Sequence, residues 1–172
     1  MDVTTTTSWV ENASEPLAGA ATEIPPERTI EMKEDISIRH DCLDLLREAG
    51  LRPTQQRLVL GGLLFSKVGR HVTAEMLHAE ATSAGIQTSM ATVYNTLNQF
   101  TDAGLLRQIG VDGSKSFFDT NPTTHHHFFV DHEDRLLDVP EPGVVIDRLP
   151  QPLPGYEISR VDVIVHLRRK QV

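Results

Sequence analysis

Cysteine is almost absent from this chain: Cys42 is the single one in 172 residues. An intramolecular disulfide is therefore excluded, and so is any zinc site built on cysteine pairs. Metal chemistry here has to use His, Asp and Glu. Long apolar runs are missing too, with nothing near the ~18 residues that cross a bilayer and no basic-then-apolar pattern at the start. The expectation is a cytoplasmic protein. No HExxH helix, nucleophile elbow or phosphate loop occurs, which argues against an enzyme. An excess of basic charge is lacking as well, since the net charge is −8. That total speaks against nucleic acid until its distribution is read. Residues 1–34 hold seven acids against Arg28 and Lys33, which is −5 of the −8, whereas residues 35–113 carry seven basic and eight acidic side chains. A local basic surface is compatible with the near-balanced stretch.

The first 34 residues are rich in Thr, Ser, Ala, Pro and Glu and hold no periodicity beyond a short helix around Trp9, so they read as a flexible acidic tail. Ordered structure is expected from Asp35. Four helical patterns follow: Ile36 to Ala49 stopped by Gly50; QQRLVLGGLLF after Arg52-Pro53-Thr54, weakened by Gly61 and Gly62; TAEMLHAEATSAG capped by Thr73 and closed by Gly85; and a fourth capped by Ser89.

The fourth helix, SMATVYNTLNQFTDAG, places Met90, Val93, Leu97 and Phe100 toward a core and Thr92, Asn95, Thr96 and Gln99 elsewhere. Its outward side is polar yet almost uncharged, which suits a surface that makes hydrogen bonds to base edges. LLRQIG and KSFFDT then read as two strands around an Asp112-Gly113 turn. Three helices plus a hairpin make a winged helix-turn-helix whose last helix enters the major groove. The plain alternative is a small helical domain with an incidental hairpin. After Asp119 the pattern turns to strands, HHHFFV, RLLDV and YEISRVDVIVHLRRK, forming a small α/β unit suited to pairing across a dimer. The fold class is thus α+β, with a tail over 1–34, a winged-helix DNA-binding domain over 35–120 and a dimerisation and sensing domain over 121–172.

Three consecutive histidines, His125, His126 and His127, stand out among eight in the chain. In a strand, His125 and His127 share one face and His126 takes the other, so one triplet can feed two sites. His71, Asp119, His132, Asp138, Glu141, Asp147 and His166 are available to complete them. Imidazole with carboxylate suits zinc, iron or manganese. Phe128 and Phe129 beside an accessible imidazole would also suit a porphyrin whose iron takes the histidine axially. A zinc hydrolase with Glu133 as general base is a further, weaker arrangement.

LREAGLRPTQQRLVL, HVTAEMLHAEA, ATVYNTLNQFTDAGLLRQ, GSKSFFD and HHH, in this order, resemble the ferric uptake regulator superfamily of bacterial metal-responsive repressors. DTN before the triplet, FF after it, RLLDVP and the VDVIV strand look most like its iron response regulators of alphaproteobacteria. The resemblance implies a homodimer or higher homo-oligomer on double-stranded operator DNA. It places Arg52, Arg57, Ser89, Thr92, Tyr94 and Asn95 at the DNA, with Tyr94 in the major groove and Arg52 near the minor groove. Asn95 stands where many relatives carry arginine, which shifts preference from guanine toward adenine. It implies a first metal site of His71, Asp119, His126 and Asp138, and a second of His125 and His127 with Asp147 and His166. The cysteine pairs of many relatives are missing, Asp131 and Asp134 standing at the first pair, and Cys42 is followed by Leu43 rather than proline.

The function this implies is a haem- and iron-responsive regulator of iron-uptake and haem-metabolism genes, with haem held by His125, His126 and His127, supplied by a haem-delivering protein and releasing the DNA. The alternative is a repressor activated by zinc, manganese or iron without haem.

Overall fold

Thr54, Thr73 and Ser89 each sit in extended backbone, with the side-chain oxygen accepting the N–H three residues on, from Arg57, Met76 and Thr92 respectively. Each hydroxyl satisfies a donor that a helix start leaves without an intrahelical partner, and each opens a helix where the sequence places it. The structure is a computed structural model that describes residues 40–67, 69–113 and 115–170. The acidic tail, the helix around Trp9 and the expected onset at Asp35 lie outside the described residues.

Helix α1 covers 40–48 of the described chain. It is followed by α2 (Gln55–Phe65), β1 (His71–Val72), α3 (Ala74–Ser83), α4 (Met90–Asp102), β2 (Arg107–Val111), β3 (Lys115–Asp119), β4 (His127–Val130), β5 (Arg135–Asp138) and β6 (Ile164–Leu167). Helices α3 and α4 stop at Gly85 and Gly104, both near φ +74. The left-handed turn at each lets the next amide reach back five residues, Ile86 to Ala81 and Leu105 to Phe100, each at 2.9 Å.

The helices close over a core of Leu46, Leu60, Leu64, Leu77, Val93, Leu97 and Phe100, each at most 1% exposed. Burial of such side chains contributes ~1.5–3 kcal/mol apiece. Met90 packs against the same core, but Thr96, expected on the outward side of α4, is buried with it. Its position i+3 from Val93 carries it onto the inward stripe.

The winged-helix hairpin is present and gains an edge strand: the first sheet has the order β1-β3-β2, all antiparallel. Strand β1 was not expected, because two residues leave no alternation to read. The second sheet has the order β5-β4-β6, with β4 antiparallel to β5 and parallel to β6. Among the described residues all helices lie before position 103, and 121–170 supplies strands and irregular chain only. A second apolar cluster of Ile109, Val111, Phe117, Phe129 and Leu136 joins the back of the wing to the second sheet across the expected boundary at 120. The last strand is shorter than YEISRVDVIVHLRRK suggests. Strand β6 pairs only where β4 offers a partner, His127 to Ile164 through Val130 to Leu167.

Candidate metal centre and nucleic-acid face

Cross-strand register assembles the histidine site. In the first sheet His71 lies opposite Asp119, and in the second His127 lies opposite Asp138. Directly opposite side chains on one face lie ~5 Å apart at Cβ. The two pairs meet where the sheets approach, and His125, just before β4, completes a group of five whose donor atoms all lie within 4.8 Å of one another.

His71 Nε2 lies 2.9 Å from Asp138 Oδ1 and 3.6 Å from Asp119 Oδ2. His125 Nε2 lies 3.0 Å from each of the same two oxygens, and His127 Nε2 lies 3.5 and 3.7 Å from them. Ligands about 2.1 Å from a common cation would stand roughly 3.0–3.4 Å apart at neighbouring positions, so the spacing is that of a coordination sphere. The directions agree. His71 Nε2, His127 Nε2 and Asp119 Oδ2 are buried with no hydrogen-bond partner. These atoms crowd one another without satisfying one another, because they aim at a shared centre. Leaving polar atoms this way costs ~1–3 kcal/mol each, a cost that a cation would offset.

The neighbouring contacts orient the donors. Asp119 Oδ1 accepts the Asn121 N–H at 2.8 Å, leaving Oδ2 inward. His125 Nδ1 lies 2.9 Å from the Thr123 carbonyl, which fixes its proton there and frees the Nε2 lone pair. With neutral imidazoles the five groups carry −2, the charge a divalent ion matches. Burial pushes the Asp119 carboxyl up, but His127, the Asn121 N–H and, when protonated, His71 and His125 outweigh it and hold the group below the usual carboxylate range. Burial lowers His71 despite Asp119 and Asp138, favouring the neutral, ligating form. Three imidazole nitrogens with two carboxylates fit zinc, manganese or iron(II).

The structure groups these residues differently from the two-site partition that the resemblance implies. His71, Asp119 and Asp138 come together as expected, but His125 and His127 join them and His126 does not. His125, just before β4, and His127, its first residue, both reach the first site, and His126 turns away, with Nδ1 accepting the Val163 N–H at 3.4 Å. The second set does not assemble. His166 bonds Asp131 at 2.8 Å and stacks edge-on against Phe129, while Asp147 is exposed and outside the cluster. Phe129 is also committed: it is 2% exposed and packs on Phe117, so it offers no open face to a porphyrin. The signal missed in the sequence was the pairing of His127 with Asp138 through a hairpin of known length.

The residues expected at DNA gather at the start of α2 and on α4. Arg57 donates from Nε to Gln99 Oε1 at 3.1 Å and from Nη1 to the Arg52 carbonyl at 2.6 Å. Arg57 and Gln99, with Thr54, Gln56, Thr92, Asn95 and Thr96, line a shallow polar cavity of about 270 Å³. Ser89 and Thr92 spend their hydroxyls on the helix cap, 2.9 Å apart. Tyr94 is exposed and donates its O–H to Glu75 at 2.9 Å.

Comparison with known proteins agrees with this architecture. The ferric uptake regulator family matches residues 48–145. The ferric uptake regulation protein of Shigella flexneri is 38% identical over 85 residues, 49% of this chain and 57% of that protein. The peroxide-responsive repressor PerR of Staphylococcus aureus is 30% identical over 127 residues, 72% of this chain and 85% of that one. The chain thus spans little more than half the length of the ferric uptake relatives it matches. Among solved structures, the ferric uptake regulator of Pseudomonas aeruginosa with manganese superposes with a TM-score of 0.57 at 24% identity, covering 76% of this chain and 98% of that one. The likeness is one of fold. No helix among the described residues is long and apolar enough to cross a membrane.

Proposed function

Since the chain belongs to the ferric uptake regulator family, we propose that it is a metal-responsive transcription regulator that binds operator DNA as a homodimer through α4, with His71, Asp119, His125, His127 and Asp138 as its sensing site. The observation that carries this reading is the set of three buried donor atoms without a hydrogen bond, His71 Nε2, Asp119 Oδ2 and His127 Nε2, converging where the two sheets meet. A divalent ion there would supply the positive charge that five inward-facing donors lack. The chain's own residues do the rest. His71 and Asp119 belong to the first sheet and His127 and Asp138 to the second, so occupancy ties the wing to the second unit. A domain arrangement selected in this way sets how α4 meets the groove. Tyr94 and Asn95 stand exposed on that helix, Asn95 being suited to adenine.

The test is fluorescence anisotropy of labelled duplex with manganese, zinc or iron(II), against a chelator, at two salt concentrations. Metal-dependent and salt-dependent binding is expected, with the metal dependence lost in Asp119→Ala. Binding indifferent to chelation in the unaltered protein overturns the reading, and turnover of a hydrolysable substrate without duplex binding would favour a metallohydrolase.

One observation keeps haem as a second reading. His126 is the imidazole of the triplet that stays outside the five-residue site, and it is half-buried, as is Phe128 two residues on. In that reading His126 is the axial ligand and haem binding releases the DNA, as in an iron response regulator. A Soret shift on haem addition that survives His127→Ala and disappears in His126→Ala supports it. No shift in the unaltered protein removes it.

A further inference from the structure

Arg107 opens β2, yet its side chain belongs to the neighbourhood of the histidine site. It is 5% exposed, among the few buried charged residues of the chain. Nη1 donates to the carbonyls of Thr123 at 2.9 Å and His125 at 3.2 Å. Nη2 donates to Asp162, which Arg160 also holds at 2.6 Å. In the sheet Arg107 lies directly opposite Asp119. One guanidinium thus connects the wing, the backbone of the histidine loop and the approach to β6, two residues before Ile164.

Stability alone does not account for it. Burying a cation beside one carboxylate gains little net free energy, and a well-packed apolar residue often does as well. Arg107 Nε is buried without any partner, a further cost. What the arginine provides is geometry: a planar fork reaches three acceptors on two segments at once, which the single ammonium of lysine cannot reproduce. The His125 carbonyl held by Arg107 belongs to the residue whose imidazole must face Asp119 and Asp138. Two residues on, the His127 N–H donates at 3.0 Å to the carbonyl of Val163, just before β6 and beside Asp162.

We propose that Arg107 is a positioning residue for the metal centre: by clamping the Thr123 and His125 carbonyls it sets the aim of His125 and His127, with Asp162 serving only as counter-charge to the guanidinium, and it links site occupancy to the wing. The proposal rests on the metal reading above. Cobalt(II) titration of the full chain is the probe, read by d–d absorption and by chelator competition, with the melting temperature of the metal-free protein measured alongside.

Arg107→Lys should bind cobalt about tenfold more weakly and with an altered d–d spectrum, although every ligand remains, whereas Asp162→Asn should stay within about twofold of the unaltered protein. Asp162→Asn removes the same charge pair but leaves both carbonyl bonds, so it reports general destabilisation. Unchanged affinity and spectrum in Arg107→Lys overturn the proposal, and so does an equal loss in Asp162→Asn. Should Arg107→Lys fail to fold, Arg107→Gln is read in the same way. No cobalt binding by the unaltered protein refutes the metal reading itself, while binding that is blind to position 107 refutes only the clamp.

Discussion

Gly61 shows how a single hydrogen can decide a sign. It lies inside α2, where glycine costs ~0.5–1 kcal/mol relative to alanine. A Cβ there would stand 2.6 Å from Cys42 Sγ, well inside contact distance. Cys42 is 2% exposed and its thiol is pushed up by burial, so it has no room to yield and little thiolate character. Gly61→Ala should therefore destabilise the protein by about 1–2 kcal/mol in urea unfolding, overpacking outweighing the helical gain. Cys42→Ala in the same chain should recover part of the loss, and strictly additive effects would contradict the contact. Tyr94 carries a second prediction at this scale. Its bond to Glu75 raises the phenol above its ordinary value, and Glu75 is lowered by its own backbone N–H, by Thr73 and by Tyr94. The signs give a window: the Glu75 contribution is present above the ordinary carboxyl value and fades as pH falls through its lowered one. The Tyr94 contribution is present below ~10 and fades as pH rises through its raised value. In a Tyr156→Phe background, absorbance near the tyrosinate band should titrate above ~10, and Glu75→Gln should move it down toward that value. A titration unmoved by Glu75→Gln would mean the bond does not persist in solution.

At the scale of elements, much of the fold was legible because it is written in local chemistry. Thr54, Thr73 and Ser89 start helices, Gly85 and Gly104 stop them, and Asp112 and Gly113, both at positive φ, turn the wing. What was not legible depends on partners distant in sequence. Strand β1 exists because β3 offers His71 and Val72 an edge, and β6 stops at four residues because β4 does. The candidate site divides in the same way. Alternation read from the sequence groups His125 with His127, although only His127 lies on β4, and the register of β4 with β5 is what brings Asp138 to them. The resemblance implies His126 in the first site, whereas the structure gathers His125 and His127 beside His71, Asp119 and Asp138. The arrangement makes the metal a staple between two sheets, which predicts a stability effect. A divalent ion at one hundred times its dissociation constant should add ~2.7 kcal/mol to unfolding. Thermal unfolding with and without zinc or manganese should show an upward shift in the unaltered protein and almost none in His127→Ala. An equal shift in both would place the ion elsewhere.

At the scale of the whole molecule, the second unit leaves a surface that one chain does not cover. Val145 is 86% exposed, Leu153 71% and Tyr156 74%, with Ile146, Leu149 and Ile158 also exposed along the irregular chain between β5 and β6. Strand β6 is itself an edge of its sheet. Single exposed apolar residues are ordinary, but a run of this length on one segment is the composition of an interface. A second copy is the occupant that the proposed homodimer requires, since a two-fold protein presents two recognition helices to the two half-sites of a symmetric operator. All five donors of the histidine site come from one chain, so assembly and metal binding are separable. Val145→Asp with Leu153→Asp should raise the dimer dissociation constant at least about tenfold in sedimentation equilibrium, because each buried aliphatic side chain contributes ~1.5–3 kcal/mol. The same variant should bind manganese or zinc as the unaltered protein does, yet lose affinity for a duplex carrying two half-sites much more than for one carrying a single half-site. An unchanged dimer would show that this segment faces solvent in the assembly, and a loss of metal binding with the dimer would show that the site needs the second chain.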